Sequence, residues 1–362
     1  MADATLPLAR GRWNAIDWWL RERVWPSKFH VVLSGATLAL LAYVAVKIVN
    51  WAILDAVFVS TGPDSCRNVV GACWAVIAEK HRVVLFGLYP YDEQWRPTLA
   101  VAVYLVAVVV TLTPRCWSLR WLTPLWAATI LAIGVLMYGG VGPLRVVPTM
   151  EWGGLALTMI MFSGTVILGF PIAVLLALGR RSDMALLRSV SVVLIETLRG
   201  VPLITILFVA VNVFPLFLPA GTNIDKLLRV TIGIAIFFAC YQAETIRGGL
   251  QAVPDGQYEA AKALGLRYWQ MTGRIILPQA LRIAFPAIMN HVIAALKNTS
   301  FVMIIGLFDI LTATTAVMQD PVWRKYYVEA YTFVGFVYFA FGLALSIYAR
   351  LMERRMNKGY AA

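Results

Sequence analysis

The sequence predicts an all-α membrane protein, and three observations support that fold class. The 362 residues are 60% hydrophobic and only 14% charged, and the mean hydropathy of +0.75 lies far from that of soluble domains. Several apolar runs reach the roughly 20 residues that a helix needs to cross the hydrocarbon core of a bilayer. The runs are continuous rather than alternating, which favours helices over a barrel because each helix satisfies its own backbone groups.

About eight segments are long and apolar enough to span the membrane. They lie near 29–58, 97–113, 121–141, 153–178, 202–218, 228–249, 284–306 and 328–350. An even number of spans places both termini on one side. Of the 31 Lys and Arg residues, 20 lie in the two terminal segments and the alternate loops between them, and nine lie in the opposite loops. This bias predicts that both termini are cytoplasmic and that the chain is a multi-pass protein of a bacterial inner membrane.

The net charge of +12 follows the same loop pattern, so it predicts contact with the lipid bilayer and no nucleic-acid partner. No metal site is expected, because His30, His81 and His291 lie far apart and none shares a ligand spacing with a cysteine. Cys66 and Cys73 fall in a loop predicted to face an oxidising compartment. They are either a disulfide or two half-buried free thiols, and their spacing does not decide between the two.

The chain is predicted to divide near residue 150. Residues 1–150 hold an N-terminal cytoplasmic segment, three spans and one long loop outside the membrane, whereas 151–362 carry nearly all of the motif-like sequence. We interpret the first part as an accessory segment, with a role in lateral packing and assembly, and the second as a functional core.

The most informative segment is the polar stretch 241–282, which leaves the membrane on the predicted cytoplasmic side. Pro254 and Gly256 interrupt the preceding helix, residues 258–264 form a short helical pattern, and Gly265 is its expected stop. The short helix bears Glu259 beside two alanines. Small residues permit close approach and one charge sets the register, so the pattern favours docking to a soluble protein.

This segment resembles the EAA loop of ABC importer permeases. The match runs through Glu259, Ala260 and Ala261, then Gly265, then Leu277 and Pro278. The resemblance implies a C-terminal five-helix type I importer core and a coupling loop at 251–283, which docks on the ATP-binding subunit. The residues assigned to coupling are Tyr258, Glu259, Ala260, Ala261, Lys262, Leu264, Gly265, Leu277 and Pro278.

Three further strings resemble the polar amino-acid branch of these permeases. The strings are ETLRGVPLI at 196–204, AETIRGGLQAVPDGQ at 243–257 and LKNTSF at 296–301. The extra N-terminal spans, with GACWAVI at 71–77 and WRP at 95–97, resemble the larger permease of general L-amino-acid importers. The implied partners are a second homologous permease, a dimer of ATP-binding subunits and a periplasmic amino-acid-binding protein. The chain has no phosphate-cradling Gly-rich loop, so ATP and Mg²⁺ are expected on the partner ATPase and no cofactor on this chain.

Polar side chains at membrane depth are the remaining candidates, because an ionisable group in hydrocarbon needs a partner or a water-filled path. Glu244 and Arg247 share a helical face and are predicted to pair as a structural clasp in preference to a substrate site. Lys297, Asn298, Thr299 and Ser300 are candidates for the substrate pathway. The alternatives for the second group are a snorkelling lysine or a polar turn that interrupts the helix.

Two other functional classes were weighed. An ATP-independent secondary transporter or channel fits the composition and topology equally well, and only the 251–283 loop argues against it. A membrane-embedded enzyme requires paired carboxylates, a nucleophile with a base or a metal triad, and the spans carry no such set with usable spacing. The sequence therefore predicts a translocation subunit without catalytic residues.

Overall fold

The computed structural model describes residues 27–59, 66, 69–113, 116, 118–219, 221–222 and 224–358. Within these ranges the structure is almost entirely helical, which confirms the predicted fold class. The chain divides into two compact units, Met1–Ala78 and Glu79–Ala362. The predicted N-terminal cytoplasmic segment lies outside the described residues as far as residue 26.

The first unit contains one candidate span and a closed loop. Helix α1, Lys28–Val49, begins at Ser27, whose hydroxyl accepts a hydrogen bond from the His30 N–H, and it continues as a π-helical turn over Asn50–Leu54. No side chain of α1 is buried in the described part of this unit, as expected for a helix whose surroundings are lipid. Cys66 and Cys73 form a disulfide with their Cα atoms 5.9 Å apart.

Twelve further α-helices and one two-residue strand follow among the described residues, numbered here in chain order, and all but the first lie wholly in the second unit. They are α2 Ala75–Phe86, α3 Trp95–Leu112, α4 Leu119–Tyr138, α5 Gly154–Arg180, α6 Ala185–Gly200, α7 Leu203–Phe208, α8 Lys226–Gln251, α9 Asp255–Ala263, α10 Tyr268–Met271, α11 Leu277–Asn298, β1 Phe308–Asp309, α12 Ile310–Val317 and α13 Tyr327–Lys358.

Seven helical stretches of the described chain are long and apolar enough to cross a membrane. The segment predicted as a fifth span, 202–218, differs from the others. It is the second arm of a bent pair, Ala185–Gly200 and Leu203–Phe217, whose axes differ by 106°. Val201 is extended because the following Pro202 disfavours the helical conformation of the residue before it. Counting that pair as one span brings the total to eight.

Helices α5, α8 and α11 form the centre of the second unit, and glycine permits their close approach. A Cβ atom on Gly169 of α5 would lie 2.7 Å from the Ala235 carbonyl oxygen of α8, and one on Gly249 of α8 would lie 2.3 Å from the Ala280 carbonyl oxygen of α11. Such contacts are typical of membrane helices, which gain stability from dense packing because they gain none from excluding lipid.

The division between the compact units differs from the predicted division at residue 150. Helices α3 and α4 belong to the same unit as the central helices, because Tyr104 and Ala100 of α3 are buried against Met159 and Ala156 of α5. Of the three predicted accessory spans, only the first lies in a separate unit. The functional division at 150 stays a prediction.

Candidate functional site

The short helix α9, Asp255–Ala263, lies within the predicted coupling loop. Pro254 precedes it in an extended conformation, and Asp255 stands in its first turn, where a carboxylate is favourable beside the helix dipole. Gly265 has a φ of +71°, so it takes the left-handed conformation expected of a helix stop. The N–H groups of Gly265 and Leu266 donate to the carbonyls of Lys262 and Ala261, at 2.9 and 3.2 Å. This pattern is a Schellman motif and ends α9 sharply.

One face of α9 is buried and the other is exposed. Ala261 is buried in the same hydrophobic cluster as Ile276, which directly precedes α11, and Ala280 of α11. The other predicted coupling residues of the helix and its stop are exposed, apart from the half-buried Tyr258; they are Glu259, Ala260, Lys262, Leu264 and Gly265. The two alanines therefore have different roles. Ala261 packs against the rest of the unit, and Ala260 is available for close contact with another protein surface.

Arg181 and Tyr258 tie α9 to the ends of α5 and α8. Arg181 follows α5, and its Nη1 donates to the Leu250 carbonyl at 2.6 Å and to the Tyr258 hydroxyl at 3.0 Å. The Tyr258 hydroxyl also donates to the Leu250 carbonyl, at 3.1 Å. Sequence reasoning missed Arg181, because its partners are 69 and 77 residues away along the chain. Its position at the end of a long apolar run was the available signal.

A second tie joins α9 to α11. The Gln279 side-chain amide donates to the Gln257 side chain at 3.2 Å. Leu277 is half-buried and Pro278 is exposed in the first turn of α11, where a missing N–H costs no helical hydrogen bond. Helix α9 is thus attached to each of the three central helices.

Apolar side chains extend the exposed face of α9. Leu264 is 76% exposed and Trp269 is 70% exposed, and Tyr268 lies beside Trp269 with the ring centroids 5.1 Å apart. Exposed aromatic and aliphatic groups next to a polar helix are typical of a protein-interaction surface.

Glu244 forms the centre of an ionic cluster at the same end of the unit. Its carboxylate lies 3.0 Å from Arg247 Nη2, 2.9 Å from Arg180 Nη1 and 3.8 Å from Arg199 Nη1. Arg180 also lies 2.9 Å from Glu196. The structure therefore places the predicted Glu244–Arg247 pair within a larger group that joins α5, α6 and α8. Sequence reasoning found only the local pair, which is visible from helical spacing.

The predicted pathway residues do not share one face. The α-helix ends at Asn298 and a 3₁₀ helix follows over Thr299–Ile305. Thr299 is buried and its hydroxyl lies 3.3 Å from that of Tyr338, whereas Lys297 is exposed and the Ser300 hydroxyl donates to the Lys297 carbonyl at 2.8 Å. The segment thus has the geometry of the alternative interpretation, a polar turn that interrupts the helix, and the substrate role stays a prediction.

A buried polar network occupies the opposite end of the unit. Asp309 caps α12, accepting from the Thr312 N–H at 2.9 Å and from the Tyr338 hydroxyl at 3.4 Å. Burial raises the pKa of Asp309, while the hydrogen bonds from Thr312 act in the opposite direction. Beside it, Gly153 and Gly154 pair with Phe308 and Asp309 as a short parallel bridge.

The chain is similar to known transport proteins over most of its length. Residues 169–358 match the family model described as binding-protein-dependent transport system inner membrane component. The inner membrane amino-acid ABC transporter permease protein YhdY of Escherichia coli (strain K12) is 41% identical, covering 94% of this chain and 93% of the relative. The glutamate/glutamine/aspartate/asparagine transport system permease protein BztC of Rhodobacter capsulatus is 34% identical, covering 94% of each.

A solved structure shares the fold of about half of the chain. It is described as the crystal structure of an amino acid ABC transporter with histidines, and it is 32% identical with a TM-score of 0.50. The match covers 56% of this chain and 92% of that one.

Proposed function

Because the chain belongs to the family of binding-protein-dependent transport system inner membrane components, we propose that it is the permease subunit of an ABC importer for amino acids, and that α9 is its coupling helix. The ATP-independent transporter or channel weighed from the sequence is set aside by family membership. The substrate class rests on the two full-length relatives, each of which is described as an amino-acid permease.

One observation carries the coupling role. Helix α9 exposes Glu259, Ala260 and Leu264, while it is joined to α5 through Arg181 and to α8 through Tyr258. A helix that docks on a moving partner transmits motion only if it is fixed to the membrane helices that must move. Hydrogen bonds to helix-end carbonyls and close packing of Ala261 supply that attachment.

The remaining subunits follow from this role. ATP and Mg²⁺ bind to a separate dimer of ATPase subunits, a second homologous permease completes the pathway, and a periplasmic protein delivers the amino acid. Both termini and α9 lie in the cytoplasm, as the Lys and Arg distribution favours. This chain itself carries no catalytic residue in the transport cycle, so its part is to convert closure of the ATPase dimer into rearrangement of α5, α8 and α11.

Reconstitution of the full complex tests the proposal. The chain is co-purified with its second permease, ATPase and binding protein, and ATP-dependent uptake of labelled amino acids into vesicles is measured. Glu259→Lys reverses the charge of the exposed coupling face, so we expect uptake to fall at least about tenfold, the equivalent of roughly 1.4 kcal/mol at the docking surface.

Glu353→Lys, near the end of α13, makes the same charge change outside α9 and serves as the matched control. Uptake that is equal in the two variants would show that α9 does not couple the subunits. Uptake by the wild-type vesicles without ATP would contradict the importer mechanism, and failure of all labelled amino acids to enter would contradict the substrate class alone.

A further inference from the structure

A large apolar groove lies between the α3–α4 pair and helices α5, α11 and α13. Its volume is about 610 Å³, and its wall includes Phe162, Val292 and Phe341. Six polar side chains reach the wall, and four of them bond to one another in two pairs. Trp126 Nε1 donates to the Thr111 hydroxyl at 3.1 Å, and the Ser163 hydroxyl donates to that of Tyr104 at 3.3 Å. The wall therefore suits hydrocarbon, which offers no hydrogen bonds.

The length of the groove suits part of an acyl chain. Its wall on α13 runs from Phe341 to Tyr348, which is about 10 Å of helix at about 1.5 Å per residue. An extended hydrocarbon chain, with carbon contacts near 4 Å, has a cross-section of about 20 Å². The groove therefore admits acyl chains of a lipid from the surrounding bilayer.

Arginines continue the groove face on three of these helices. Arg120 precedes Ala127 of α4 by seven residues, Arg282 precedes Met289 of α11 by seven, and Arg355 follows Tyr348 of α13 by seven. Seven residues return a helix to within about 20° of the same face, about 10 Å further along.

All three arginines lie at the end of the unit that carries α9. Helices α4 and α11 begin there and α13 ends there, since successive spans run in opposite directions. Arg120 and Arg355 are exposed and Arg282 is half-buried. The groove thus has an apolar body and a basic mouth, which is the charge pattern complementary to a lipid with a negatively charged headgroup.

We propose that this groove binds one anionic phospholipid. Its two acyl chains lie along α13 and α5, and its phosphate lies at Arg120, Arg282 and Arg355. Guanidinium groups bind phosphate oxygens through charge-assisted hydrogen bonds. The lipid fills the space between the α3–α4 pair and the central helices, so it holds the pair against the helices that move during transport.

Native mass spectrometry of the purified full complex tests this site. The complex is stripped with detergent and titrated with dioleoylphosphatidylglycerol or dioleoylphosphatidylcholine. We expect one retained phosphatidylglycerol on the wild type and weaker retention of phosphatidylcholine. The triple variant Arg120→Gln, Arg282→Gln, Arg355→Gln should bind phosphatidylglycerol on the order of a hundredfold more weakly, because each basic residue near an anionic headgroup contributes about fivefold.

A second triple variant, Arg188→Gln, Arg350→Gln, Arg354→Gln, removes the same charge from other surfaces and should retain the lipid. Ala344→Trp fills the groove itself, so it should displace both lipids while the arginines remain, and it keeps the test valid if the first triple variant fails to assemble. Equal retention of the two lipids, equal loss in the two triple variants, or full retention by Ala344→Trp would overturn the proposal. Glycerol 3-phosphate that competes as well as the lipid would overturn the acyl-chain part.

Discussion

The two ends of the 79–362 unit are held together in different ways. At the end that carries α9, which we call the coupling end, helices meet through ion pairs around the partly exposed Glu244 and through side-chain bonds to helix-end carbonyls. At the opposite end, which we call the Asp309 end, the joining groups are buried. Arg96 has no exposed surface there, and it donates to the carbonyls of Leu136 and Arg145 at 2.6 and 2.8 Å.

This difference indicates which end is able to rearrange. Ion pairs at a wetted surface are worth little individually and exchange readily with water. A buried guanidinium loses all of its partners at once if the structure opens, and no water replaces them. We therefore infer that the Asp309 end holds its structure and that the coupling end moves, and four substitutions test this comparison.

The largest effect is expected at the Asp309 end. Arg96→Ala removes the buried donor to two carbonyls and leaves the Leu136 carbonyl with only the 3.3 Å bond from the Tyr89 hydroxyl. It should therefore lower the free energy of unfolding by about 3 kcal/mol. Thermal unfolding of the detergent-solubilised complex measures this. Arg145→Ala is the control, because the Arg145 side chain is exposed and only its carbonyl takes part. If the two variants lost equal amounts of unfolding free energy, the inference that the Asp309 end is rigid would be wrong.

The next largest effect is expected from Gly249→Ala, which acts at the coupling end. The new methyl group would meet the Ala280 carbonyl oxygen at 2.3 Å, so α8 and α11 must separate, at a cost of about 1–3 kcal/mol. Gly248→Ala is the matched control in the same helix, since its Cβ meets nothing within 4 Å. We expect uptake to fall for Gly249→Ala and to stay at the wild-type level for Gly248→Ala. The reverse order would show that the close approach of α8 and α11 is unimportant.

Tyr258→Phe tests the attachment of α9 with a smaller change. It removes the hydroxyl that bonds to Leu250 and Arg181, at a cost of about 1 kcal/mol. Because α9 stays docked on the ATPase but is held less firmly, we expect ATP hydrolysis to continue while the amount of amino acid moved per ATP falls. Tyr138→Phe, at an exposed tyrosine at the end of α4, should leave this ratio unchanged. A normal ratio in Tyr258→Phe would assign the attachment to packing alone.

The smallest effect is a pH dependence at the Asp309 end. Burial raises the pKa of Asp309, so between its ordinary and raised pKa the folded protein holds a proton that the unfolded chain releases. The contribution to stability therefore falls as pH rises through that window. Asp309→Asn keeps the helix cap without the charge. We expect its Tm to rise relative to the wild type as the pH is raised above the ordinary pKa of an aspartate, and a constant difference would contradict the assignment.

Much of the fold follows from local sequence. Span length, charge bias and the stops at Pro254 and Gly265 depend on the chemistry of a few adjacent residues, so the helices and α9 were predictable, and the relatives confirm the family resemblance. The bend between α6 and α7 was missed. The apolar run of 202–218 has the length of a complete span, so nothing in its composition shows that α6 precedes it at an angle of 106° as part of the same bent pair.

The contacts that complete the candidate site were harder to predict from the sequence. Helical spacing pointed to Glu244 and Arg247, but Arg180 and Arg199 come from other helices. Lys297, Asn298, Thr299 and Ser300 were grouped because they are adjacent, whereas the 3₁₀ turn sends their side chains in different directions. Adjacency in the chain is a poor guide to a shared face where a helix ends.

The sequence by itself determined that the chain is built for a bilayer, the places of seven of the eight predicted spans and the position of α9. Burial in lipid and helix termination are governed by composition and by one or two residues at each boundary. Only the tertiary structure decided that Arg181 meets Tyr258, that Arg96 closes the Asp309 end and that five helices leave a groove with a basic mouth. Those features join residues far apart in the chain, and their contacts exist only once the helices pack.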